Sequence, residues 1–111
     1  DGVLRKNCVA LVGEDRIDER DHSTGSTDMG DISCVMPTSS IGMGGVKGQG
    51  HGRTYEFVDS QQGYIVPAKI LALACVDLLF DGAAKAKEII GSFEPSIPSG
   101  EYTEFMRKLV S

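Results

Sequence analysis

The sequence predicts an α/β fold, and three observations carry that expectation. Tyr64 to Phe80 is almost continuously apolar, broken only by Lys69 and Asp77, which is the composition of a helix covered on several sides. Ile32 to Met36 reads as a short apolar strand stopped by Pro37. Tyr55 to Val58 alternates weakly and reads as a second short extended piece.

From the start of the chain, apolar residues at 3, 4, 8, 11 and 12 have helical spacing, so Val3 to Val12 reads as a helix with Gly13 as its stop. Glu14 to Asp21 is a mixed-sign charge cluster, the signature of a solvated connection. His22 follows in the same polar run and reads as a loop histidine, because a ligand role would need partners that the sequence does not show. Gly25 to Ser33 then packs small and polar residues together. Gly25 and Gly30 permit turns that a side chain would block, and Ser26, Thr27 and Asp28 can bond nearby backbone. A polar loop feeding an apolar strand is a common place to build a site; the plainer alternative is a well-made turn that Asp28 caps.

Ile41 to Gly50 is rich in glycine, which invites a phosphate-loop reading. The spacing refuses it, because Lys47 is followed by Gly48 rather than Ser or Thr, and no GxGxxG register is met. The run reads as a flexible or closely packed loop. His51 stands at its end between Gly50 and Gly52, where an imidazole has little steric hindrance. By residue type alone, such a histidine is more often an ordinary loop residue.

Asp59 to Gly63 reads as a turn. Pro67 suits the first turn of the helix that follows. That apolar run, about 17 residues, is near the lower limit for a membrane span, but its ionisable residues and flanking charges favour a buried helix. Such a helix needs cover, and without it self-association follows. Leu71 and Phe57 are expected in the buried scaffold. Asp81-Gly82 breaks the run. Ala83 to Phe93 reads as an amphipathic helix, Pro95 to Gly100 as a linker, and Tyr102 to Val110 as a last short helix clamping the tail.

The chain has 111 residues, 41% hydrophobic and 24% charged, with net charge -5. This is the composition of a soluble domain. With no basic run, it argues against nucleic acid or an anionic membrane as partner. Cys8, Cys34 and Cys75 are odd in number and widely spaced among apolar neighbours, so they read as buried free thiols of a reducing, cytoplasmic compartment.

Three stretches in order carry a resemblance: Gly25 to Pro37 (GSTDMGDISCVMP), Gly50 to Tyr55 (GHGRTY), and Tyr64 to Lys69 opening an alanine-rich helix that ends Asp77-Leu78-Leu79. Together they resemble the C-terminal part of the M20 metallopeptidases, in the branch of aminobenzoyl-glutamate hydrolases and aminoacylase-like amidohydrolases. Relatives often have Ser or Thr after the histidine; here Gly52 follows. The resemblance implies a mixed sheet flanked by helices, with residues 1–111 as a C-terminal fragment of one catalytic domain and the family's inserted lid and dimerisation domain absent.

The implied activity of the parent, expected to be a homodimer, is hydrolysis of an amide bond in an N-acyl amino acid, aminobenzoyl-glutamate or dipeptide-like substrate. Two divalent ions per site (zinc, manganese, cobalt or nickel) would activate water, with a glutamate taking its proton. The resemblance makes His51 a metal ligand, and Ser26, Thr27 and Asp28 part of the substrate pocket or supports for a ligand. The remaining ligands and the base are expected upstream, so the isolated chain is expected to be inactive. The alternative is a non-catalytic structural fragment or interaction module.

Overall fold

Gly2–Val12 forms α1, closed by a bond from the Gly13 N–H to the Val9 carbonyl at 2.9 Å. A 3-10 turn, Glu14–Arg16, follows. Beyond it come α2 (Asp28–Val35), β1 (Val46–Lys47), β2 (Glu56–Phe57), a π-helical turn (Gln61–Ile65), α3 (Val66–Ser92) and α4 (Tyr102–Val110). The structure is a computed structural model and describes residues 2–18, 25 and 27–110.

The described residues are 63% helical with only a two-stranded sheet among them, which overturns the expected α/β fold of a mixed sheet flanked by helices. The largest local correction lies at Ile32 to Met36, which belongs to α2 rather than to a strand. Thr27 caps that helix, its Oγ1 accepting from the Met29 N–H at 3.4 Å. Asp28 and Asp31 fall in the first turn, where the helix dipole favours negative charge. These start signals outweigh the β-branched Ile32 and Val35, and Pro37 ends a helix instead of a strand.

The glycine-rich run is half of a hairpin. β1 pairs antiparallel with β2, with Val46 opposite Phe57 and Lys47 opposite Glu56, and the last two form an ion pair at 2.8 Å. Gly45 has φ 71, and a Cβ there would stand 2.3 Å from the Asp59 carbonyl oxygen. Only glycine fits so close an approach. Asp59 Oδ1 accepts from the N–H groups of Gln61 and Gln62 at 2.9 and 3.1 Å. The residues expected as a turn therefore start the long helical run.

α3 packs on α1 and holds the only two buried apolar side chains among the described residues, Ile70 and Ala74. Asn7, buried on α1, donates to Asp77 Oδ2 at 2.9 Å and to the Val3 carbonyl at 3.1 Å. Lys6 adds an ion pair to Asp77 at 3.5 Å. The expected break is present: Phe80 is extended, and Asp81, Gly82 and Ala83 all take left-handed backbone, with φ 50, 63 and 62. By length and composition Gln61–Ser92 is long and apolar enough to cross a membrane. Here it is broken by that corner and tied to α1 through Asp77.

The rest of α3 is uncovered. Phe57 and Leu71, expected in the interior, are 41% and 51% exposed. The molecule is flat, 44 × 42 × 20 Å, with a radius of gyration of 16.9 Å, where a compact chain of this length has about 13 Å. Its surface is 8758 Å², against roughly 5,900 Å² for a compact protein of this mass. α4 forms as expected, but none of its residues is buried. Its hold on the body is light: the Ile97 N–H donates to the Cys34 carbonyl at 3.2 Å, and Tyr102 bonds Asp31. Cys8 and Cys34 are half-buried and Cys75 is exposed, all three as free thiols.

Candidate functional site

His51 sits in the loop joining β1 to β2, exposed and in left-handed backbone with φ 62. A non-glycine residue takes that conformation at a cost, so the surroundings must hold it there. They do so through a short ladder. The Gly52 N–H donates to the Gln49 carbonyl at 2.9 Å, the Tyr55 N–H to the Gly52 carbonyl at 3.2 Å, and the Gln49 N–H to Thr54 Oγ1 at 3.3 Å. Gly48, at φ 86, lies against Thr54 so closely that a Cβ would meet its carbonyl oxygen at 2.0 Å. A Cβ at Gly52 would stand 3.0 Å from the Gln49 carbonyl oxygen. Gly52 in place of Ser or Thr thus keeps the tip tightly turned, and its own N–H supplies a hydrogen bond.

Beyond the tip, three rings stack along the hairpin base. Tyr55 meets Phe57 edge to face at 6.2 Å, and Phe57 stacks on Tyr64 at 4.5 Å. Phe57 also lies over Gly63, where a Cβ would be 2.6 Å from the ring. This apolar platform fixes the strands and therefore the direction in which the tip points.

Thr27 and Asp28 stand together at the start of α2, Thr27 as its cap and Asp28 exposed in its first turn. Ser26 lies outside the described residues, as does His22. An open cleft of about 1080 Å³ runs past α2, lined by Leu4, Cys8, Arg16, Met29, Gln62 and Ile70 among others. Thr27, Asp28 and His51 are not among its lining residues. Among the described residues, no hydrogen bond joins His51 to α2.

No three His, Cys, Asp or Glu side chains among the described residues stand together as a metal-holding group. His51 alone offers one nitrogen, whereas a catalytic zinc usually takes three protein ligands. The described residues therefore do not by themselves fit a metal centre, and no step through a metal follows from them.

The sequence reading missed the polar cluster of Asn7, Lys6 and Asp77. Its one visible signal was an asparagine and an aspartate each inside an apolar helix. The Asn7 hydrogen bond, aided by the charge of Lys6, holds the Asp77 carboxyl below its ordinary pKa against the opposing effect of burial. Tyr102 is raised above its ordinary value, first by burial, then by the charges of Asp31 and Cys34.

Comparison with known proteins gives no family model, no curated protein and no solved structure that matches this chain.

Proposed function

We propose that this chain is part of a metal-dependent amidohydrolase, supplying one imidazole ligand, His51, to a centre completed by residues outside it. One observation carries the reading: an exposed histidine in left-handed backbone in the loop of a hairpin, between the closely fitted Gly48 and Gly52. Such a loop leaves the imidazole accessible on a turn held by backbone hydrogen bonds, which suits a ligand delivered to a partner surface. The ordered stretches Gly25 to Pro37, Gly50 to Tyr55 and Tyr64 to Lys69 support the same reading by resemblance.

His51 would donate one neutral nitrogen to an ion, leaving the other to be oriented by a neighbouring acceptor. The substrate would be a small N-acyl amino acid or dipeptide-like amide. The described residues hold no full ligand set, and on this reading the general base lies outside the chain, so the chain alone is expected not to turn over substrate.

The test uses the longer protein in which these residues occur. His51→Ala should remove metal and hydrolysis together while leaving the circular dichroism spectrum unchanged. Full metal occupancy with undiminished hydrolysis would return His51 to the status of an ordinary loop residue. Hydrolysis by the 111-residue chain above a metal-only blank, abolished in His51→Ala, would show that the site is complete without further residues.

A further inference from the structure

Three consecutive residues at the corner of α3 share left-handed backbone: Asp81 at φ 50, Gly82 at φ 63 and Ala83 at φ 62. Glycine accepts that region freely, but aspartate and alanine enter it at a cost. Alanine is also the strongest helix former, and Ala83 leads into Ala84, Lys85, Ala86, Lys87 and Glu88, all favourable in a helix. Local preference therefore runs toward carrying the helix through the corner, and the bend runs against it.

Little around the corner offsets that strain. A Cβ at Gly82 would meet nothing within 4 Å, and Phe80 is 75% exposed. The Asp81 carboxylate makes no hydrogen bond or ion pair among the described residues. Beyond the corner, Lys85 pairs with Glu88 and the Ser92 hydroxyl donates to the Ile89 carbonyl, both within the same helical segment. No hydrogen bond or ion pair among the described residues ties residues 84–92 to another helix or strand. What holds the bend is apolar. Ala86, Ile89 and Ile90 share a cleft of about 200 Å³ with Leu78 and with Met36 and Pro37, just after α2. Ile90 is still 66% exposed there.

We propose that residues 80–83 are a hinge, and that α3 exchanges between this bent form and a straight helix in which residues 84–92 continue the line of 66–79. A straight helix sets Leu78 and Ile90 about 18 Å apart, so straightening opens the cleft they share. It also pulls on the tail, because only residues 93–96 separate α3 from Ile97, whose N–H bonds the Cys34 carbonyl of α2.

The distance between two spin labels in the 111-residue chain tests this. The chain carries Cys8→Ala, Cys34→Ala and Cys75→Ala, with labels attached through Lys69→Cys and Lys87→Cys at two exposed positions. Labelled chain is diluted in unlabelled chain, so that each distance lies within one copy. A straight helix sets the labelled positions about 27 Å apart, and the bent form sets them closer. The unsubstituted corner should give a dominant short distance and a minor long one. Gly82→Ala penalises left-handed backbone and should raise the ratio of long to short by about tenfold. Ala83→Gly relieves the bend and weakens the straight helix, and should lower that ratio by a similar factor. Circular dichroism checks that each variant is folded; should Gly82→Ala fail to fold, Ala83→Gly decides. Each of three outcomes overturns the proposal: one short distance that neither substitution changes, one long distance in every variant, or a shift in the same direction with both substitutions. None of these readouts involves metal or hydrolysis, so their failure is separate from failure of the amidohydrolase reading.

Discussion

The amide of Asn7 donates to the carboxylate of Asp77 at 2.9 Å, joining α1 to α3 across 70 residues of sequence. Asn7 is the one buried polar residue among those described, and both bonds of its amide group are accounted for, one within α1 and one across the interface. The pair therefore fixes the register of the two helices, which their small apolar contact through Ile70 and Ala74 would leave free to slide.

Asn7→Ala should destabilise the chain by about 1–3 kcal/mol, the range for a buried hydrogen bond to a charged group. Urea melts followed by helix signal measure it. Asn7→Asp should be worse than Asn7→Ala, because it sets two carboxylates against each other.

The same pair has a pH dependence with a definite sign. Asp77 is held below its ordinary pKa in the folded chain, mainly by the Asn7 hydrogen bond. Its contribution is therefore present above the ordinary carboxylate value and is lost as pH falls through the lowered folded value. In Asn7→Ala, an NMR titration of the Asp77 carboxyl should show its pKa moved upward, and the acid limb of the stability curve should flatten.

Tyr102 works in the other direction. Burial and the neighbouring Asp31 raise its pKa, so its contribution is present below the ordinary tyrosine value and is lost as pH rises through the raised one. Alkaline titration followed by phenolate absorbance should show one late-titrating tyrosine, and Asp31→Asn should bring it back toward the others.

The hairpin tip offers a glycine contrast. Gly48→Ala places a Cβ 2.0 Å from the Thr54 carbonyl oxygen at φ 86, whereas nothing lies within 4 Å of a Cβ at Gly50. Gly48→Ala should cost about 1–3 kcal/mol of strain and broaden the amide resonances of Gln49 to Tyr55, while Gly50→Ala should be close to neutral. Equal effects would mean that the loop is not held in this conformation.

Thr27→Ala removes the side-chain cap of α2 and should cost about 1 kcal/mol, with Thr27→Ser retaining most of it. Faster hydrogen exchange confined to Met29 and Gly30 is the local readout.

Much of the helical frame was legible. The spacing of Val3, Leu4, Cys8, Leu11 and Val12 marks α1, Asp81-Gly82 marks the corner in α3, and Tyr102 to Val110 is a helix as read. Ile32 to Met36 was not legible as a helix from its apolar run alone, because a run so short has no clear period; the deciding signal was the Thr27-Asp28 start just before it. Asp59 was visible as a turn former, but whether such a residue closes a turn or opens a helix depends on the residues that follow it. Burial was the least legible property. Leu71 and Val76 have the composition of interior residues, yet what covers them is set by tertiary packing and not by their own type. At the candidate site, the glycine flanks of His51 were readable, whereas its left-handed backbone and the glycine fit at Thr54 depend on strand pairing across the hairpin.

The contact between α1 and α3 also imposes a timetable on synthesis. Asp77 leaves the ribosome 70 residues after Asn7, and at roughly 5–20 residues per second the wait is on the order of 4–14 s. During that interval α1 has no α3 to lie against, and its apolar side is open to any chaperone waiting at the tunnel exit. Rare codons placed between the hairpin and Asp77 would lengthen the exposure, so the yield of folded chain should respond to translation speed there more than after Ser92.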